Sequence, residues 1–428
     1  MSSPTLMAHK YFGTDGVRGV VGEDLTRQLV ERLGRAATLW VGGGAVLVGR
    51  DTRASGRELE RSFASGVASA GGHAVLAGVL PTPAVALLRM DLGVVISASH
   101  NPPEYNGVKF FRKDGGKLTD EDEEAIEALL EAPPSDPERG QVDNLEVAVD
   151  SYLDLVLERF GSDLSGLRVG VDCANGAYTA IAPRAFEELG AEVVAIGVDP
   201  DGTNINVGCG ATDLGALREL VREQELDLGV AFDGDGDRML AVDEKGDPLD
   251  GDQIVAVLAL DLGVDQVAVT TMTNMGFHRL MDEHNVRVLV TDVGDRYVLE
   301  ALKREGGVLG GEQSGHIIYL DGHVTGDGLA AALLLCGAVR GRPVSEASAV
   351  MERYPQVKEN VRVVRRQLSD RIRHEVDRVN AELDGTGRVL VRPSGTEPVV
   401  RVLAEAETDE AASALCASIT ALVQQELG

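Results

Sequence analysis

The sequence predicts an α/β protein: three consecutive mixed or parallel α/β domains of similar topology, then a smaller C-terminal α+β domain. Short apolar runs of strand type alternate with apolar residues at helical spacing, which implies sheets covered by helices on both faces. That alternation restarts twice, giving a recurring unit of about a hundred residues, the usual size of a small domain. The pattern then changes from Lys358 onward. The predicted domains are residues 1–145, 146–250, 251–357 and 358–428.

In chain order, residues 25–40 read as a helix and 45–48 as a buried strand, followed by helix 57–70, strand 74–77 and helix 84–90. The apolar run 93–96 is the next strand. Ala132-Pro133-Pro134-Ser135-Asp136-Pro137 is a linker candidate, and helix 147–160 follows it. The second unit holds strand 167–171, helix 180–189, strand 193–196, helix 213–225 and strand 228–232. The third holds strand 267–270, helix 277–284, strand 286–290 and helices 297–304 and 329–339. The tail has a strand at Lys358, helix 369–383, strands 388–391 and 399–404, and a final helix from Asp409.

The hydrophobic content of 44% fits a globular chain, and no run approaches the roughly 18 continuous apolar residues of a membrane span. The start, Met1-Ser2-Ser3-Pro4, has neither the charged nor the apolar region of a signal peptide. Cys173, Cys209, Cys336 and Cys416 lack metal-ligand or disulfide spacing, so a reducing cytoplasm is expected. The net charge of −29 makes nucleic acid and anionic membranes poor partners. Acidic residues are spread along the chain, and only seven of the 40 basic residues are lysine.

That composition suggests adaptation to high salt. Self-repulsion acts across a whole domain when the Debye length is about 30 Å, at ~0.01 M salt, and shrinks to neighbour contacts in molar salt. Activity should therefore rise with KCl into the molar range. Equal activity and stability at about 0.05 M and about 2 M KCl, concentrations that bracket the screening range, would leave solubility as the simpler explanation.

Five stretches carry chemistry. In Ser97-Ala98-Ser99-His100-Asn101-Pro102 a hydroxyl stands at the carboxyl end of a strand, where open α/β sheets place their ligands. Pro102-Pro103 forces a loop, a turn is expected at Asn106-Gly107, and Lys109 lies beyond it. On this stretch alone, a serine that caps a neighbouring element fits equally well.

Asp233-Gly234-Asp235-Gly236-Asp237-Arg238 also follows its strand directly. Alternating carboxylates separated by glycine fold readily onto one hard cation, and Mg²⁺ suits a few carboxylates plus a phosphate oxygen. An EF-hand loop fits in part, with Glu244 at the twelfth position, but Arg238 replaces the glycine needed at the sixth. A solvated acidic turn is the bland alternative; three carboxylates ending a buried strand are costly without a metal.

Gly310-Gly311-Glu312-Gln313-Ser314-Gly315-His316 offers acceptors and donors matched to sugar hydroxyls, although on this stretch alone a purely structural turn is the better reading. Arg392-Pro393-Ser394-Gly395-Thr396-Glu397-Pro398, with Arg401, has the makings of a phosphate cradle, or of ordinary surface charge. Gly13-Thr14-Asp15-Gly16-Val17-Arg18-Gly19 is a tight turn presenting one arginine.

Together these stretches, running from Tyr11 to Arg401, resemble the α-D-phosphohexomutase superfamily. Its members have four domains around a central cleft, each supplying one loop; here those loops are 97–102, 233–238, 311–316 and 392–398. The resemblance implies an isomerase that carries Ser99 as a phosphoserine, with Mg²⁺ on Ser99, Asp233, Asp235 and Asp237. It implies that Arg238 stabilises the transferring phosphoryl, with Arg18 close to the phosphoserine. Acid/base work falls to Lys109, His316 and His100. Glu312 and Ser314 grip the sugar, while Arg392, Ser394, Gly395, Thr396 and Arg401 hold the phosphate that is not reacting.

Within the superfamily, Asn204-Ile205-Asn206, Gly208-Cys209-Gly210 and Gly294-Asp295-Arg296-Tyr297-Val298 point to the members acting on hexosamine phosphates. Phe12 with the turn at residues 13–19, and Glu312-Gln313-Ser314-Gly315-His316, point the same way. One departure is Ala211-Thr212-Asp213, where that branch usually has Ser-Thr-His. The implied partners are a hexosamine phosphate and a sugar 1,6-bisphosphate, supplying UDP-N-acetylglucosamine synthesis, in a monomer or homodimer. The runner-up substrates are mannose and glucose phosphates. A phosphatase with the same loops, or a protein that binds sugar phosphate or Ca²⁺ without turnover, are the readings from other classes.

Overall fold

The protein was studied as a computed structural model that describes residues 10–13, 15–133, 140–365, 367–394 and 398–428. The linker candidate therefore lies outside the described residues from Pro134 to Pro137.

The first sheet contains β1 (Val17–Val20), β2 (Ala45–Arg50), β3 (His73–Val79), β4 (Leu92–Ile96), β5 (Tyr105–Arg112) and β6 (Gln141–Asn144). Its order is β1-β5-β4-β2-β3-β6. The pairs β4–β2, β2–β3 and β3–β6 are parallel, while β5 runs antiparallel to β4 and β1. Every residue of β4 is buried, as its unbroken apolar run requires. The helices Arg27–Trp40 and Gly56–Ser69 turn Leu33, Phe63 and Val67 into the core beside Val46, Ile96 and Phe110. Thr26 caps the first of these helices through the Leu29 N–H.

Asn106 and Gly107 do not form a turn; both lie in β5. The Asn106 side chain accepts the Gly107 N–H at 2.8 Å and donates to Ser55 Oγ at 2.9 Å, so its turn-forming polar group is used within the sheet. Glycine is needed at 107 because a Cβ there would stand 2.6 Å from the Ser97 carbonyl oxygen.

The second sheet holds β7 (Arg168–Asp172), β8 (Glu192–Ile196), β9 (Leu228–Phe232), β10 (Met239–Asp243) and β11 (Pro248–Leu249), in the order β11-β10-β9-β7-β8. Its β8, β7 and β9 are parallel, and β10 folds back antiparallel on β9. The third sheet, β12 (Gln266–Thr270), β13 (Arg287–Thr291), β14 (Leu309–Gly311) and β15 (Ile317–Tyr319), has the order β13-β12-β14-β15. The fourth is antiparallel, β16 (Gln356–Arg362), β18 (Val399–Ala406) and β17 (Gly387–Pro393) in that order. Ile372, Val379, Ile419 and Val423 from its two helices complete an apolar core of its own.

The chain forms two compact units, one running to Thr271 and including Leu289–Ser348, the other made of Met272–Val288 and Ala349–Gly428. The four cysteines are buried and free. Among the described residues no helix is long and apolar enough to cross a membrane.

Candidate active site

In the larger unit the loops after β4 and β9 bring buried polar and charged side chains together. The first contribution comes just past β4. Ser99 is buried, with its backbone in the left-handed region at φ 53°. Each of its polar atoms has a separate support. Its N–H donates to Ser97 Oγ at 2.9 Å, and Ser97 Oγ donates to Asp51 Oδ2 at 2.6 Å. Its carbonyl accepts from Arg53 at 2.9 Å and from Asn206 Nδ2 at 2.9 Å. Its Oγ donates to Asp233 Oδ2 at 2.5 Å and lies 3.3 Å from His100 Nδ1.

Arg53 is 1% exposed, and its guanidinium is the hub of the loop. Besides the Ser99 carbonyl it reaches those of Asn101, Pro102 and Tyr105, and its Nε pairs with Asp51 at 2.9 Å. A planar fork of five donors suits this task, and an ammonium would leave several carbonyls unserved. Burial raises the Asp51 carboxyl above its usual range, with Arg53 opposing the shift. Neither residue has a signal in the sequence beyond its place directly after β2, the same strand-end rule that picks out Ser99.

The acidic turn after β9 supplies the second contribution. Carboxylate oxygens of Asp233, Asp235 and Asp237, all buried, lie within 4.8 Å of one another. Asp233 Oδ1 accepts the N–H groups of Gly236 and Arg238. Asp235 Oδ2 accepts from Thr82 Oγ1 at 2.5 Å and Lys109 Nζ at 2.6 Å, and Asp237 Oδ2 from Lys109 at 3.0 Å. Asp235 Oδ1 and Asp237 Oδ1 are buried without a hydrogen-bond partner. Two orphaned hard oxygens beside a third carboxylate fit a small divalent cation. Burial, with the charges of Asp237 and Asp235, pushes Asp233 well above the carboxylate range, an effect that a bound cation reverses. Glu244 is no part of this group: its carboxylate accepts from the Ser345 N–H and hydroxyl, so the EF-hand reading falls.

A chain of alternating charges leads away from the triad. Lys109 Nζ lies 3.1 Å from Asp15 Oδ2, and Asp15 also pairs with Arg18 and with Lys117 Nζ at 2.7 Å. Lys117 reaches Asp295 at 2.5 Å, and Asp295 faces His316 Nε2 at 3.3 Å. Burial alone would lower Lys109, but Asp15, Asp235 and Asp237 hold it well above its usual value. Burial, with Arg238 and Arg18 nearby, pushes His100 down to about 4, so that imidazole is neutral near pH 7. Glu312 Oε1 accepts the Gly294 N–H at 2.9 Å, and Ser314 is exposed. Lys117 and Asp295 extend the set assembled from the sequence; Lys117, whose side chain is 12% exposed, stands out there only as one of few lysines.

In the smaller unit, Arg392 on β17 stands directly opposite Arg401 on β18. Ser394 is buried, and Gly395 and Thr396 lie outside the described residues.

Residues 9–136, 150–246, 250–355 and 357–422 match, in that order, domains I, II, III and the C-terminal domain of phosphoglucomutase/phosphomannomutase. The chain belongs to the phosphoglucomutase/phosphomannomutase family. It is an isomerase, a phosphohexomutase. Phosphoglucosamine mutases of Geobacillus thermodenitrificans and Bacillus subtilis are each 43% identical to it, covering 98% of this chain and 99% of theirs. That of Bacillus cereus (strain G9842) is 45% identical over the same shares. Among solved structures, a phosphoglucomutase/phosphomannomutase family protein of Burkholderia thailandensis aligns with a TM-score of 0.84 at 25% identity, over 98% of both chains. Aspergillus fumigatus N-acetylphosphoglucosamine mutase, in complex with GlcNAc-6P and magnesium, shares the fold at 20% identity and a TM-score of 0.70, over 99% of both chains.

Proposed function

We propose that this phosphohexomutase interconverts glucosamine-6-phosphate and glucosamine-1-phosphate through a phosphoserine at Ser99 and a 1,6-bisphosphate. The observation that carries the reading is the 2.5 Å contact between Ser99 Oγ and the acidic triad. A hydroxyl so placed has a cation site beside it and its backbone already fixed. The full-length likeness to phosphoglucosamine mutases supports the choice of sugar.

In the forward step the bond between phosphorus and Ser99 Oγ breaks, and a bond forms from phosphorus to the sugar's free hydroxyl oxygen. The hydroxyl proton leaves to a base on the enzyme. We assign that role to His316, whose Nε2 faces Asp295 while its Nδ1 is buried without a hydrogen-bond partner. Lys109, surrounded by three carboxylates, is better placed to balance charge than to accept a proton. His100 presents a neutral imidazole to the phosphoryl on Ser99.

The triad would hold Mg²⁺, whose charge offsets that developing on the phosphoryl oxygens. Arg238 adds a cation beside Asp237, and Arg18 one held by Asp15. The bisphosphate then turns end over end, and Ser99 Oγ takes the other phosphoryl. Glu312 and Ser314 bind the sugar in both poses. The phosphate that does not react is held by Arg392, Ser394, Gly395, Thr396 and Arg401. Arg392 and Arg401 face each other across the ladder, which puts both guanidinium groups on one face of the sheet. In this scheme domains 1–145, 146–250, 251–357 and 358–428 each give one loop.

The substrate assignment is tested by assaying glucosamine, mannose and glucose phosphates in parallel. The glucosamine pair should have the highest kcat/KM, by about tenfold or more, with residual activity on the others because one changed hydroxyl contact costs little in a wet site. A clear preference for mannose phosphates would assign the chain to the other branch.

A further inference from the structure

The stretch Thr325-Gly326-Asp327-Gly328, to which no role has yet been given, lies between the two parts of the site that must act together. On one side, Gly326 bridges to Ile318 beside His316, and the Asp327 N–H donates to the Ile317 carbonyl at 3.2 Å. The fit there is tight: a Cβ on Gly326 would stand 2.3 Å from His316 Cε1 and 2.7 Å from both ring nitrogens. On the other side, the Gly328 N–H donates to the Gly236 carbonyl in the acidic turn at 3.0 Å. A Cβ on Gly328 would stand 2.7 Å from the Arg238 carbonyl oxygen and 3.0 Å from that of Gly236.

The residue between them is locked. Asp327 is 2% exposed, and its carboxylate lies 2.8 Å from the hydroxyls of both Tyr152 and Tyr178. It caps the helix Gly328–Ala338 through the N–H groups of Leu329 and Ala330. His323 Nδ1 accepts the Thr325 N–H at 3.2 Å, and its Nε2 lies 3.0 Å from Asp327 Oδ2 without hydrogen-bond geometry. Tyr178 also reaches the acidic turn directly, since a Cβ on Gly236 would stand 2.3 Å from its ring. A buried carboxylate with this many donors does not shift cheaply.

We infer that residues 326–328 are a strut that sets the spacing between the metal-binding turn and His316, with Asp327, Tyr152, Tyr178 and His323 holding the strut rigid. These are positioning residues; none of them touches the reacting atoms. The inference rests on the roles proposed above for the triad and His316. It adds that the two ends of the strut control different quantities, because the atoms nearest a Cβ on Gly326 belong to the His316 ring, while those nearest a Cβ on Gly328 belong to the acidic turn and the core beside it.

The test is a pair of alanine substitutions, both at backbone conformations that a side chain tolerates, read out in two ways. Gly326→Ala should lower kcat by about 10- to 100-fold through displacement of the His316 ring. It should leave the dissociation constant for Mg²⁺ alone, measured by titration calorimetry without sugar phosphate, within about twofold of the unaltered protein. Gly328→Ala should raise that dissociation constant about tenfold. Tyr178→Phe keeps the ring against Gly236 and removes only the hydroxyl; it should weaken Mg²⁺ binding in the same direction by about threefold. That variant serves if either glycine variant fails to fold by circular dichroism. Equal loss of Mg²⁺ affinity in both alanine variants, or unchanged affinity in Gly328→Ala and Tyr178→Phe, overturns the strut while leaving the reaction assignment standing. No Mg²⁺ binding by the unaltered protein overturns the metal assignment and the strut with it.

Discussion

Ser99→Ala should abolish turnover, by about four orders of magnitude or more, because nothing else at this site replaces a lost nucleophile. The folded state should survive. Alanine tolerates the left-handed backbone about as well as serine does, and Arg53, Asn206 and Ser97 still hold the main-chain atoms of residue 99. The lost contact to Asp233 leaves a buried carboxylate one donor short, a cost of about 1–3 kcal/mol. The purified protein should also carry phosphate on Ser99 and not on Ser97. The Ser97 hydroxyl already donates to Asp51 and accepts the Ser99 N–H, so it has no freedom to act as a nucleophile. Peptide mass spectrometry that places phosphate elsewhere, together with an active Ser99→Ala protein, would sink the mechanism.

Asp235→Asn should cut turnover by about two to three orders of magnitude, the scale of losing one element of charge stabilisation at a phosphoryl-transfer centre. Asp235 presents one buried oxygen with no hydrogen-bond partner and gives the other to Thr82 and Lys109. An amide keeps the shape but removes the charge that a hard cation needs. Because the substitution also weakens the hold on Lys109, metal removal is the necessary companion experiment. Treatment with EDTA should match the loss, and Mg²⁺ should restore activity better than Ca²⁺, whose longer bonds and looser shell position a phosphoryl poorly. Full activity after stripping, or better rescue by Ca²⁺, contradicts a magnesium centre.

Much of the fold was legible because fully buried strands read as unbroken apolar runs and most helices show one apolar face. The run 228–232 coincides with β9, and the helices around residues 30, 60 and 155 follow their apolar spacing closely. What escaped did so for physical reasons. The helix Gly251–Leu262 buries nine successive residues from Gly251, so it lacks the polar face that would mark it. The helix Asp120–Leu129 opens with four acidic residues and reads as a charged loop until its capping box, Thr119 with Asp122, is recognised. β5 was hidden by Asn-Gly, a turn signature overruled by the need for close backbone approach at Gly107. The loops proposed to carry chemistry stood out in combination, since each alone also reads as a cap, a solvated turn or surface charge. Their supports did not: Arg53, Lys117 and Asp327 are single residues whose meaning depends on distant partners.

The left-handed backbone of Ser99 bears on how far this protein can be made more durable. A residue other than glycine in that region carries strain of about 1–3 kcal/mol, sustained only because its surroundings over-determine it. Glycine would remove that strain, and with it the hydroxyl on which the proposed chemistry depends. Stabilising changes that relax the loop therefore compete with activity at this one position, while those placed on the outer helices do not. Attempts to harden the enzyme have a forbidden residue at their centre, and freedom increases with distance from it.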